Sequence, residues 1–243
     1  MHLKILLAKH RQLPRELVEW LLAPIISAAS TFCIWRKEKA WHYSPTQLYR
    51  RFWNISFDLV NGVSTRSITD PLARTSCGPG YEASPVFSFR RLLGHLNIDY
   101  AQYAFVDFGS GKGRVLLLAG ERPFKQVIGV EFSGEMNDLA NRNISLYKRR
   151  SAQRVVSLHC DAAIFDLPTE DLVLYFFNPF EAYVLERVLI NILASLEQRP
   201  RKAIIIYLNL RHPELFDKLL GFWKQENWHP YRIYTYVPDE QSR

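Results

Sequence analysis

Beyond residue 100 the chain alternates short apolar runs with longer amphipathic ones. AFVDF (104–108), QVIGV (126–130), VVSLH (155–159), LVLYFF (172–177) and AIIIYL (203–208) are rich in branched and aromatic side chains. Apolar at successive positions, they predict strands covered on both faces. Between them, 114–121, 134–150, 181–198 and 213–220 repeat their apolar residues at helical spacing, as does 86–96 ahead of the first strand. Strand and helix in alternation predict an α/β domain, a mostly parallel sheet wound on both sides. RIYTYV (232–237) alternates instead, which predicts a closing antiparallel strand.

The pattern differs before residue 81. From Trp20 to Trp35 the run WLLAPIISAASTFCIW holds no charge, with Glu16 and Glu19 before it and Arg36 and Lys37 after. As one helix it reaches about 24 Å, short of a hydrocarbon core of about 30 Å, and Pro24 interrupts its start. A full span and a cleaved leader are both disfavoured. Packing on the α/β domain or on a second subunit leads, and attachment of residues 15–40 to a membrane surface is the alternative, suited by the terminal tryptophans and flanking cations. Residues 41–85 show no clear period, and Pro71, Gly78, Pro79, Gly80 and Pro85 mark a loop. The expected organisation is an N-terminal helical extension and loop over 1–80 and one α/β domain over 81–243.

Charge adds to that division. The net +7 is concentrated in residues 1–53, which hold nine Lys and Arg against three acids, so the rest of the chain is nearly neutral. A nucleic-acid enzyme lines its working face with cations, and near-neutrality argues against a large nucleic-acid substrate. Cys33, Cys77 and Cys160 are too far apart for a metal-ligand interval and odd in number, so a reducing, cytoplasmic setting without bound metal is expected.

The chemistry begins at Asp107, where a strand ends and Gly109, Gly111 and Gly113 lead into a helix. Such glycines permit a tight turn and close approach of backbone to ligand at a helix N-terminus. A dinucleotide loop spaces its last glycines three apart, whereas here they are two apart, and a phosphate loop requires Gly-Lys-Ser/Thr. Neither fits. Glu131, twenty-four residues after Asp107, ends the second strand, where its two oxygens can accept two ribose hydroxyls. Asp161 follows the third strand and Asn178, Pro179 and Phe180 follow the fourth. Asp161 suits a cofactor contact or an ordinary helix cap, and Asn178 suits an amine-binding edge or a plain Asn-Pro turn.

Asp107, Gly109, Gly111 and Gly113 resemble motif I of the class I S-adenosylmethionine-dependent methyltransferases, and the likeness runs over about residues 81–237. It implies a Rossmann-like, mostly parallel seven-stranded sheet with an antiparallel final strand. It also implies S-adenosylmethionine as cofactor, held by Asp107, Gly109, Ser110, Gly111, Gly113, Glu131 and, at the adenine, Asp161. LYFFNPF is similar to a truncated Asn-Pro-Pro-aromatic loop of amino-group methyltransferases and to the asparagine-rich loop of Dot1-type lysine methyltransferases. FDLVNGVST, YEASP, VDFGSGKGR and LYFFNPF together resemble an uncharacterised bacterial methyltransferase family, which implies Tyr81 and Glu82 as further cofactor contacts.

The expected activity is methyl transfer to nitrogen of a protein side chain or small molecule, with Asn178 orienting the acceptor and Pro179 and Phe180 beside it. A non-catalytic cofactor-binding module and a nucleic-acid methyltransferase are the alternatives.

Overall fold

The computed structural model describes residues 56–66 and 82–238, and the chain divides into two compact units, Met1–Gly62 and Val63–Arg243. The apolar run 20–35, Tyr81 and the expected boundary after residue 80 lie outside the described residues. In the first unit residues 56–61 are helical, and Asn61 Nδ2 donates to the Phe57 carbonyl at 2.7 Å. Residues 41–85 follow no clear period, so the sequence pattern does not announce this helical stretch.

The second unit is built on seven strands: β1 (Tyr103–Phe108), β2 (Gln126–Glu131), β3 (Val155–His159), β4 (Asp171–Phe176), β5 (Ala203–Leu208), β6 (Lys224–Trp228) and β7 (Tyr231–Tyr236). Their order is β3-β2-β1-β4-β5-β7-β6. The first five are parallel, and β7 lies antiparallel between β5 and β6. This is the Rossmann-like doubly wound sheet expected. Order reverses between β1 and β4, which opens a crevice at the carboxyl ends of these strands.

Helices α1 (Val86–His95), α2 (Arg114–Ala119) and α3 (Gly134–Leu146) form one layer, and α4 (Ala182–Gln198) with α5 (Pro213–Leu220) forms another. Every residue of β1 and β5 is buried, as the unbroken apolar runs require. Aromatic rings tie α5 to its face of the sheet: Phe108 stacks on Phe176 at 4.8 Å, Phe176 on Tyr207 at 5.5 Å, and Phe216 of α5 bridges Tyr207 and Tyr234. On the opposite face Phe89 of α1 meets Phe105 and Tyr175 edge-on.

Two elements differ from expectation. β6, KQENW, has no apolar alternation because four of its five residues are exposed on an edge, where charged side chains discourage further pairing. α3 stops at Leu146 rather than Arg150. Its cap residue Tyr147 is buried with its hydroxyl donating to the Glu121 carboxylate, and this turns the chain out of the helix.

Candidate functional site

After β1 the chain makes its turn on three left-handed glycines, Gly109 (φ 76°), Gly111 (φ 52°) and Gly113 (φ 80°). Side chains rarely adopt this conformation. Gly109 N and Ser110 N donate to Val130 O at 2.8 and 3.3 Å, so the loop is tied to β2, and Gly113 starts α2. A Cβ on Gly109 would lie 2.5 Å from Pro179 Cβ, and one on Gly113 3.1 Å from Ala140 Cβ. Ser110 also lines the site, but its hydroxyl sits 3.4 Å from Ser157 Oγ and fills the space left by Gly129.

Glu131 at the tip of β2 reaches back to this loop. Its Oε2 accepts from Gly111 N at 2.7 Å and its Oε1 from Ser133 N at 2.9 Å, while Ser133 caps α3. Each carboxylate oxygen has two lone pairs, so both retain capacity for a ligand hydroxyl. Asp161 is both a cap and a site residue: one oxygen accepts from Ala163 N at 2.9 Å to start a short 3-10 turn, and the residue lines the same cavity.

Asp107 is buried beside β4, where its register partner is Tyr175. Burial and the nearby Glu131 carboxylate push its acid well above the usual carboxylate range. Burial likewise holds the Tyr175 phenol well above its ordinary value, and its hydroxyl lies 3.0 Å from Ser84 Oγ.

The crevice floor and rim come from the strand ends. Asn178 follows β4 with φ 45°, and its Oδ1 is buried without a hydrogen-bond partner among the described residues. A buried amide oxygen left so costs about 1–3 kcal/mol. Pro179 covers Gly109, and Phe180 packs on the apolar core below. The walls enclose a cavity of about 950 Å³, within the range of small-molecule sites. Glu82, Asp107, Gly109, Ser110, Gly111, Glu131, Asp161, Asn178, Pro179 and Phe180 all border it, whereas Gly113 supports the loop from behind against α3.

Several bordering residues went unread in the sequence. Phe132 is 77% exposed directly after Glu131, and Met136 stands in the first turn of α3. Asn209, with φ 59°, follows β5, and Arg211 and His212 follow it. Their signal was position alone, just past a parallel strand's carboxyl end. Arg114 is buried and donates through Nε to Thr65 Oγ1 at 2.7 Å.

The described residues contain no helix long and apolar enough to cross a membrane. No protein-family model and no curated protein matches the chain. Solved structures do. A TehB-like SAM-dependent methyltransferase from Corynebacterium glutamicum is 14% identical, with TM-score 0.44, covering 62% of this chain and 87% of its own. A ribosomal protein L11 methylase from Lactobacillus delbrueckii subsp. bulgaricus is 13% identical, with TM-score 0.45, covering 64% of this chain and 79% of its own.

Proposed function

We propose that this chain is an S-adenosylmethionine-dependent methyltransferase acting on a nitrogen of a protein side chain or small molecule. The observation that carries the reading is the junction of Glu131 with Gly111. An acid at the β2 tip is bonded to the bare glycine backbone at the β1 end, beside a cavity at the point where strand order reverses.

The donor set fits that cofactor. Glu131 retains acceptor capacity for ribose hydroxyls, and the glycines leave room for an extended chain to pass. Asp161, with Phe132 and Met136 beside it, offers an acceptor and apolar faces for a base. Four acids, Glu82, Glu131, Asp161 and Glu181, border the cavity against Arg114 and Arg211, beside the buried Asp107 whose acid is held protonated well above the usual range. This excess of negative charge suits a cationic sulfonium and an incoming amine. When bound, the cofactor supplies an electrophilic methyl group on sulfur.

The chain's own residues then align the acceptor and keep water out. Asn178 holds an unsatisfied, buried amide oxygen at the crevice edge, suited to accept from an amine N–H and aim the nitrogen lone pair. Its left-handed backbone keeps that oxygen in place at a local cost, as strained residues at functional sites do. Pro179 closes over the glycine loop, and Phe180 anchors the turn in the core. A neutral amine needs no dedicated base once it has shed its proton.

The test is incubation of a cell lysate with purified protein and methyl-labelled cofactor, followed by separation into protein, nucleic acid and small molecules. Label stable to base in protein or small molecules is expected. Base-labile label would mark an oxygen acceptor and overturn nitrogen, and label in nucleic acid would overturn the substrate class. Cofactor binding without transfer to any fraction would make the chain a binding module.

A further inference from the structure

The near-neutral charge of the chain beyond residue 53 conceals a local concentration of cations. Carboxylates gather around the cavity, whereas residues 139–160 contain five cations, Arg142, Lys148, Arg149, Arg150 and Arg154, and no acid. All five are exposed, and none makes an ion pair among the described residues.

Four of them lie on a loop with a fixed shape. Ser151 N and Ala152 N donate to Gly120 O at 2.8 and 3.1 Å, Gln153 N donates to Phe124 O at 3.1 Å, and Arg154 O accepts from Val127 N at 2.8 Å. Tyr147 is buried at the loop's start, so the following cations project outward from a pinned backbone. Leu146, at the end of α3, is 43% exposed beside them.

The loop enters β3, so it stands at the amino end of the sheet. A strand of this length places the carboxyl-end cavity about 20 Å away. We propose that residues 146–154 form a docking surface for an anionic lipid bilayer, leaving the cavity mouth turned toward solution. Juxtaposed cations on a fixed loop match a negatively charged plane, and an exposed leucine among them suits shallow insertion at the headgroup boundary. A nucleic acid gripped here would lie on the wrong end of the sheet from the crevice that would have to modify it. The surface does not depend on what the cavity binds.

Co-sedimentation of the full chain with phosphatidylcholine vesicles, with and without about 30% phosphatidylserine, tests this. Binding is expected only to the anionic vesicles and should weaken as salt rises. K148Q/R149Q/R150Q/R154Q should lose at least about tenfold in apparent affinity while keeping its melting temperature. If that variant unfolds, the pair R149Q/R150Q, which leaves the loop's backbone bonds in place, should lose a smaller part of the affinity. Equal binding to neutral vesicles, or undiminished binding by a folded variant, would overturn the proposal, the latter assigning attachment to another segment. Tighter binding of a DNA or RNA duplex at the same salt, lost with the same substitutions, would replace the bilayer by nucleic acid.

Discussion

Asn143 and Ser64 grip each other through two hydrogen bonds: Ser64 N donates to Asn143 Oδ1 at 2.9 Å, and Asn143 Nδ2 donates to Ser64 O at 3.1 Å. The same Nδ2 donates to Lys112 O at 2.9 Å, inside the glycine loop. One buried amide on α3 therefore fastens residues 63–66 and the loop at once, in the way a peptide group completes a sheet ladder.

Replacing Asn143 with Asp keeps the shape and removes the donor, turning a carboxylate oxygen toward two carbonyls. Stability should fall by about 2–4 kcal/mol, and affinity for S-adenosylhomocysteine should fall with it because the loop loses its fixture. Denaturant unfolding and calorimetric titration measure the two effects; an unaltered affinity would detach the clamp from cofactor binding.

Gly109→Ala places a methyl group where Pro179 already stands and forces a side chain into left-handed backbone. A loss of about 2–4 kcal/mol in stability is expected. Since the methyl can enter only by pushing the Asn178–Pro179 turn outward, turnover should fall further than cofactor affinity.

For Glu131→Ala the expectation is a loss of cofactor affinity of about 10- to 100-fold, the scale of charge-assisted hydrogen bonds removed from a partly buried site. Unchanged binding would remove Glu131 from the ribose. Glu131→Gln retains one accepting oxygen and should fall between wild type and Ala.

Asp107 makes stability depend on pH. Its folded acid lies well above the ordinary 3.8, so the folded state holds a proton that the unfolded chain releases. Its contribution is fully present below 3.8 and is lost as pH rises through the raised folded value. Asp107→Asn, tested without cofactor, should melt higher than wild type on the alkaline side of that window, with the difference vanishing in acid. A cationic ligand beside Asp107 should also favour the carboxylate, so cofactor binding should release protons, seen as a binding enthalpy that varies with buffer ionisation heat.

Asn178→Gly tests the acceptor edge. Glycine relieves the left-handed strain and removes a buried orphan oxygen, so stability should hold within about 1 kcal/mol. Cofactor affinity should persist while turnover collapses. Full turnover would take Asn178 out of the reaction.

Much of this protein was legible from residue pattern. Unbroken apolar runs announced β1, β2, β4 and β5 because strands buried on both faces tolerate little else, whereas β3 lies on an edge with one buried residue; glycine spacing with an acid at the next strand's end placed Gly109, Gly111 and Glu131 at one crevice. Periodicity could not announce β6, whose residues face water and are held by pairing with β7. Nor could it show that the Glu131 carboxylate is bonded to Gly111 N, that Ser110 turns its hydroxyl to Ser157, or that Pro179 rests over Gly109. Sequence alone determined the succession of elements, because local hydrophobic period follows from which faces a segment must bury. The tertiary structure decided the rest: Asn143 with Ser64, Asn209 and Arg211 at the rim, and the exposed cations of residues 148–154 at the sheet end opposite the cavity. Those relations join residues tens of positions apart, and only strand order and register set which side chains meet.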